Sequence, residues 1–255
     1  MTSSAEAAAT TPITVDGTRV TEFLMGLPPE SLVPLGAPVW WLNLNVDRPA
    51  NACLDSALVL REAYAQLGVV AEPKVVVLHA RDGTTGREYE FGTERPRFEG
   101  EALVGHLGLW LPESGWFVDQ TAQQFEVLAG QGWLPVMVRR TPGVPWGRGA
   151  LAARRGRLDL SYRTVPEEAG SGLLARPEVR AAVRRHHHRA GVNLAASLVE
   201  LFRGEGYRER ALAAPQARLR RLIDQVGRSP SVVDNDRNLR FELPGAPGVH
   251  LDEIG

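Results

Sequence analysis

The chain has 255 residues, 44% of them hydrophobic, so it can bury a sizeable core without disulfide or metal staples. Its 30 acidic and 29 basic residues nearly balance, which excludes a strongly basic nucleic-acid-binding or membrane-surface protein. The first residues lack the pattern of a signal peptide, no apolar run reaches the roughly 18 residues of a membrane span, and the lone cysteine cannot form an internal disulfide. We therefore expect a cytoplasmic protein with neither nucleic acid nor membrane as a partner.

Composition divides the chain into four stretches. Residues 1–12 are small and polar and are predicted to form a disordered tail, whereas residues 13–128 alternate apolar segments with turns and are predicted to form the core. Proline and glycine interrupt residues 129–175, which predicts an irregular, loop-rich extension. Apolar residues recur at helical spacing as far as Val226, so residues 176–255 are predicted to be a helical C-terminal region packed on the core.

The clearest helix pattern covers residues 51–68. Asn51 can cap its start, apolar residues follow at helical spacing, and Gly68 provides the stop. Cys53 then falls in the first turn. The aromatic-to-polar run at residues 39–45, just upstream, predicts a strand or a buried segment leading towards this helix.

A thiol in the first turn of a helix has an unusual chemical environment. Unpaired backbone N–H groups and the positive end of the helix dipole favour the thiolate, which is the nucleophilic form. The same N–H groups can receive the negative oxygen of a tetrahedral intermediate. A lone intracellular cysteine is more often a small buried apolar residue, so Cys53 needs catalytic partners elsewhere in the chain.

The next segments predict strands. Residues 71–80 are rich in β-branched side chains and predict a strand, and residues 81–100 predict loop or edge structure. Residues 102–111 and 116–121 flank the turn-forming sequence at 112–115, which is typical of an antiparallel hairpin.

The hairpin supplies candidate partners for the cysteine. If Leu111 pairs with Trp116 across the turn, then His106 and Asp119 are diagonal neighbours on one face, within reach of a hydrogen bond. Such a carboxylate would fix the imidazole tautomer and leave the other ring nitrogen for the thiol of Cys53. Taken singly, a strand histidine bonded to a carbonyl and an aspartate at a strand end are both common structural features.

These residues resemble a known family. A cysteine at a helix start, then a strand histidine, then an aspartate one strand later is similar to the order in the transglutaminase-like superfamily of papain-type enzymes, over about residues 40–128. In that family an aromatic residue commonly follows the histidine by four positions, as Trp110 does here. The aspartate strand commonly has an aromatic residue, an apolar residue, Asp, any residue and Thr, as residues 117–121 do. Leu54 departs from the family, which often has an aromatic residue directly after the cysteine.

The resemblance implies an α+β fold in which a nucleophile-bearing helix packs on an antiparallel sheet, with additional C-terminal helices. It also implies a catalytic triad of Cys53, His106 and Asp119, with an acyl group held on Cys53 as a thioester and then passed to water or an amine. The substrate would be an amide, peptide or thioester, free or bound to a carrier protein. The enzyme would thus be a peptidase or amidase, or an amide-forming acyltransferase of specialised biosynthesis.

A second oxyanion donor would come from the segment before the cysteine. Its candidates are Trp41, Asn43, Asn45 and Asn51, although Asn51 is more simply a helix cap. The alternative to an enzyme is a non-catalytic binding module that keeps the transglutaminase-like fold.

Other polar residues have weaker patterns. His79 is a second candidate base, but no carboxylate is in phase with it, and Asp55 and Glu62 are interpreted as solvent-facing or helix-dipole residues. Consecutive histidines, as in His186–His188, point in different directions on a helix, which favours a solvated polar face over a metal or phosphate site. The basic residues of this run also suit an acidic substrate tail or a carrier protein. The chain has no phosphate-binding loop, paired-cysteine zinc spacing or dinucleotide fingerprint, so we expect no cofactor and no metal.

Overall fold

The structure, a computed structural model, describes residues 17–45, 52–100, 102–146, 149–166, 175 and 186–255. Within these residues an antiparallel sheet packs against helices, so the chain has an α+β fold, as expected. The predicted tail at residues 1–12 and the candidate residue Asn51 lie outside the described residues.

The helices and strands of the described residues follow one another along the chain. The helices are α1 Gly17–Gly26, α2 Leu32–Leu44, α3 Cys53–Gln66, α4 Glu126–Ala129, α5 His188–Phe202, α6 Arg208–Ala213 and α7 Ala217–Val226, with short 3-10 helices at Pro29–Ser31, Ala122–Gln124 and Leu251–Glu253. The strands are β1 Glu72–Asp82, β2 Glu88–Phe91, β3 Arg97–Glu99, β4 Ala102–Val104, β5 His106–Leu111, β6 Trp116–Asp119, β7 Val136–Arg139, β8 Leu151–Arg155, β9 Leu158–Thr164, β10 Ser231–Val233, β11 Leu239–Leu243 and β12 Ala246–Val249. None of the described helices has the length and apolar character needed to cross a membrane.

The main sheet has seven strands in the order β7-β6-β5-β1-β9-β8, with β2 also paired to β1. One edge of β1 is shared, because β5 pairs with its first half and β2 with its second half. The edge strands β7 and β8 approach each other, and the N–H of Thr141 donates to Ala150 O at 3.0 Å. The sheet therefore curls into a nearly closed barrel, which we call the barrel below.

The barrel separates two apolar cores. Its interior is filled by side chains such as Leu78, Phe117 and Leu160. The alternate residues of the same strands, such as Val77 and Val118, face the helices in a second core. Because successive strand residues point to opposite faces, the odd and even positions of one strand place their side chains in different cores.

The helix that carries Cys53 lies between the sheet and α5. A Cβ atom at Gly191 of α5 would lie 2.4 Å from the Cβ of Glu62 and 2.8 Å from Val59 O. Only glycine permits this approach, so the two helices meet nearly backbone to backbone. The close contact holds α3 firmly in place behind the site.

Residues 39–45 form no strand, which corrects that alternative of the sequence analysis: they continue and end helix α2. Pro38 lies inside this helix and has no N–H to donate to the carbonyl of Pro34. The buried hydroxyl of Tyr64 donates to that carbonyl instead, at 2.7 Å. A hydrogen bond from another helix therefore compensates for the donor that Pro38 lacks.

The prediction of an irregular segment at residues 129–175 is wrong for its described part. Strands β7, β8 and β9 lie there, and they complete the barrel. The helical region expected at residues 176–255 is described from residue 186 onward, and it contains α5 to α7. Beyond them, however, residues 231–249 form a three-stranded sheet, β10-β11-β12, rather than helix.

Candidate functional site

The β5–β6 hairpin brings His106 and Asp119 together. Leu111 pairs with Trp116, which is the register that the sequence predicts. His106 begins β5 and Asp119 ends β6, and the imidazole Nε2 lies 2.7 Å from the carboxylate Oδ2, with both side chains fully buried. The predicted geometry of this pair is therefore confirmed.

Two glycines shape the hairpin around the imidazole. A Cβ atom at Gly108 would lie 2.3 Å from Phe117 Cζ, so the ring of Phe117 covers this position. Gly92, with φ of +91°, lies against the site from the end of β2, and a Cβ atom there would be 2.6 Å from Val76 O and 3.1 Å from His106 Cβ. The imidazole consequently has backbone packed closely around it.

Cys53 is the first residue of α3 and is only 3% exposed. It belongs to the core on the helix side of the sheet. The strand positions of His106 and Asp119 direct their side chains to the opposite face, towards the barrel interior. The side chain of Cys53 is nevertheless near enough to the imidazole of His106 to help raise its pKa. The amide of Gln120, the residue after β6, donates to Cys53 O at 3.4 Å.

The start of α3 has no side-chain cap from its N-cap residue, which is Ala52. Alanine is a poor N-cap because it offers no acceptor, at a cost of about 0.5–2 kcal/mol relative to Ser, Thr, Asn or Asp. Its methyl group leaves the first-turn N–H groups beside Cys53 without that acceptor. Such groups can stabilise a developing negative charge.

The electrostatic environment favours a protonated imidazole. Burial alone lowers the pKa of His106, but the charge and hydrogen bond of Asp119, together with those of Cys53, raise that pKa from 6.5 to about 10. At neutral pH the imidazolium form is therefore favoured.

Asp119 has further partners that no local pattern in the sequence predicts. The hydroxyl of Tyr162, on β9, donates to Asp119 Oδ2 at 2.9 Å, and the N–H of Thr121 donates to Oδ1 at 3.2 Å. Burial, followed by the nearby charge of Asp119, raises the pKa of the Tyr162 hydroxyl well above its ordinary value, so this group remains a donor. The guanidinium of Arg155, on β8, adds a positive charge near both groups.

Aromatic and amide side chains surround the imidazole on its other side. The amide nitrogen of Gln124 lies 3.3 Å from His106 Nδ1. Phe125 meets the imidazole edge-on, with ring centres 5.0 Å apart, and Phe91 stacks on Phe125 at 4.1 Å. In the sequence, only the glutamines that follow Asp119 could have indicated that amide groups contact this site.

Three of the four oxyanion-hole candidates lie in α2 or directly after it. Trp41 lies in the same buried cluster as Cys53, and Asn43 is a half-buried residue of the helix. Asn45 follows the last residue of α2, and its amide donates to Trp41 O at 2.7 Å, which helps to end the helix. Asn51, the fourth candidate, lies outside the described residues.

The second candidate base, His79, does have a carboxylate in phase with it, which corrects the sequence analysis. Glu90 is its register partner on β2, and His79 Nδ1 lies 3.4 Å from Glu90 Oε2. The side chain of Glu90 is 56% exposed, so water screens this pair.

The expectation of a solvated polar face is wrong for part of the histidine run. His187 is 4% exposed and its Nε2 lies 2.8 Å from Asp55 Oδ1, while His188 contacts Glu62 at 3.4 Å and Asp252 at 3.2 Å. Asp55 and Glu62 therefore form contacts between α3 and the start of α5 and are not simply solvent-facing. No group of three or more His, Cys, Asp or Glu that could hold a metal ion occurs among the described residues.

No protein-family model matches the chain, and no curated protein matches it. A solved structure described only as a genomics crystal structure is 19% identical and aligns over 91% of this chain and 94% of its own, with a TM-score of 0.33. A TM-score this low says nothing about the fold or the function of this chain.

Proposed function

We propose that the chain is a cysteine-dependent acyl-transfer enzyme with a transglutaminase-like core. Cys53 would be the nucleophile, His106 the general acid and base, and Asp119 the group that orients the imidazole. The substrate would be an amide, peptide or thioester, free or presented by a carrier protein. The supporting observation is the fully buried contact of 2.7 Å between His106 Nε2 and Asp119 Oδ2. The side chain of Cys53 is near enough to the same imidazole to help raise its pKa.

The proposed reaction has two steps. In the first, the thiolate of Cys53 attacks the acyl carbon, and the resulting oxyanion is stabilised by first-turn N–H groups of α3. The imidazolium of His106 gives its proton to the leaving amine or thiol, which leaves a thioester on sulfur. In the second step, neutral His106 removes a proton from water or an amine as that nucleophile attacks the thioester, and the thiolate departs.

The contacts of Asp119 suit this assignment of roles. Its Oδ2 accepts from both His106 and Tyr162, and Oδ1 accepts from the N–H of Thr121. A carboxylate held by three donors keeps a fixed orientation, so it would hold the imidazole in place and leave Nδ1, which the amide of Gln124 also approaches, for the thiol of Cys53. The other face of the site is closely packed, because Phe125 covers the imidazole edge.

The second candidate function is a non-catalytic binding module, and burial favours it. Cys53 is 3% exposed and the other two side chains are completely buried, so a substrate needs a movement of the surrounding side chains to reach sulfur. A structural cysteine in this position would be inert, whereas a catalytic one would be reactive.

Thiol labelling distinguishes the two functions. The folded protein is treated with iodoacetamide at about pH 6, where an ordinary thiol is almost fully protonated, and the urea-unfolded protein serves as the control for an unperturbed Cys53. An enzyme should label faster in the folded state than in the unfolded state. Slower labelling of the folded protein would contradict the proposal, as would the absence of an acyl adduct on Cys53 after incubation with activated esters and acyl thioesters.

A further inference from the structure

A cleft opens between strands β7 and β8, on the side where the barrel does not close. Its volume is about 350 Å³, which is within the range of small-molecule sites. Residues 131–137 and 153–156 line it. Trp133 and Leu134 are partly buried apolar residues of this lining, so the cleft offers apolar surface to a ligand.

The cleft also contains a buried cation, Arg155, with one donor atom that lacks an acceptor. The side chain of Arg155 is 9% exposed, and its Nη2 donates to Gly132 O. Its Nε is buried and has no acceptor. Asp119 acts on this guanidinium as a more distant charge, and no ion pair to Arg155 is present among the residues that the structure describes.

A carboxylate would complete this arrangement. Guanidinium donors that are removed from water and lack acceptors are unfavourable, and a carboxylate matches their planar geometry. The neighbouring Arg154 lines the same cleft and is 73% exposed, so it adds a second positive charge near the mouth. Asp159, at 3.9 Å, contacts Arg154 only weakly.

We propose that the cleft between β7 and β8 binds a small monocarboxylate with an apolar chain. The carboxylate accepts hydrogen bonds from the guanidinium of Arg155, and the chain packs on Trp133 and Leu134. This site does not depend on acyl transfer at Cys53, because none of its lining residues belongs to the proposed triad.

Calorimetric titration of the full chain with sodium hexanoate tests the proposal, with hexanamide as an uncharged probe of similar shape. We expect one saturable site for hexanoate and an affinity for hexanamide at least about tenfold weaker. Equal affinities for the two probes, or no saturable binding of hexanoate, would overturn the proposal.

Matched variants locate the site. Arg155→Met replaces the guanidinium by a long uncharged side chain. This variant should bind hexanoate at least about tenfold more weakly. Arg154→Gln changes the exposed neighbour and should alter the affinity by less than about threefold. If Arg155→Met fails to fold, Ala153→Leu fills the cleft while leaving Arg155 in place, and hexanoate binding unchanged by that substitution would also refute the proposal.

Discussion

Two hairpins of the barrel contribute to the candidate site in different ways. The β5–β6 hairpin supplies His106 and Asp119, which are 13 residues apart and meet through a single short turn. The β8–β9 hairpin supplies Arg155 and Tyr162, and Tyr162 reaches Asp119 from 43 residues away. The first contact follows from local register, whereas the second needs the whole sheet to be assembled.

In the proposed enzyme the two hairpins would have different roles. The β5–β6 hairpin would hold the groups that exchange protons with Cys53 and the substrate. The β8–β9 hairpin would hold Tyr162, whose hydroxyl keeps the Asp119 carboxylate oriented. Substitutions in the first hairpin should therefore affect chemistry strongly, and substitutions in the second should affect it moderately.

Removal of the thiol should have the largest effect. Cys53→Ala should abolish acyl transfer, because no other group supplies the nucleophile, while the free energy of unfolding falls by only about 1 kcal/mol for the loss of one buried sulfur. Activity against an activated ester and urea unfolding measure the two effects. Full activity in this variant would end the assignment of covalent catalysis to Cys53.

Asp119→Asn should have the next largest effect. The amide presents the wrong hydrogen-bonding group to His106, so we expect a loss of about 10²–10⁴-fold in kcat, as for the orienting carboxylate of other triads. The alkylation rate of Cys53 should also fall at neutral pH, because the imidazolium loses its counter-charge. Identical alkylation rates across the pH range in the variant and the parent would show that another group orients His106.

Tyr162→Phe tests the second hairpin. Loss of one hydrogen bond to Asp119 should lower kcat by about two- to tenfold, which corresponds to about 0.4–1.4 kcal/mol. Tyr64→Phe is the matched control, because Tyr64 is also completely buried and donates to a backbone carbonyl away from the site. Both variants should lose similar stability, but only Tyr162→Phe should slow turnover and alkylation. Equal activities in the two variants would assign Tyr162 a purely structural role.

His79→Gln should have the smallest effect. His79 pairs with a mostly exposed carboxylate, so its loss should leave kcat and the alkylation rate within about twofold of the parent. A large loss of activity would transfer the role of base from His106 to His79. Measurement of both rates beside those of a His106→Gln variant decides between the two histidines.

The sequence predicted the parts of the site that depend on local pattern. The first-turn position of Cys53 follows from helical spacing, and the pairing of His106 with Asp119 follows from the period of two in a hairpin. The expectation for residues 39–45 included a strand because the run changes from aromatic to polar residues. Their helix contains Pro38, and the hydrogen bond from Tyr64 that compensates for this proline comes from another helix.

The second hairpin was missed for a different reason. Glycine and proline between residues 128 and 150 suggested an irregular segment, although Leu158, Leu160 and Tyr162 alternate as in a half-buried strand. Even with the strand assigned, the contact between Tyr162 and Asp119 depends on the pairing of β9 with β1. A single sequence does not encode that pairing in any local pattern.

The position of Arg155 has a consequence for how the proposed site responds to salt. Its positive charge acts on the carboxylate of Asp119 from a distance, and proton transfer from Cys53 to His106 adds one negative and one positive charge together. The proton can therefore move between sulfur and nitrogen without a change in the total buried charge, and no counterion has to enter from solvent. Because buried charges are poorly screened, the alkylation rate with an uncharged reagent should be nearly independent of ionic strength.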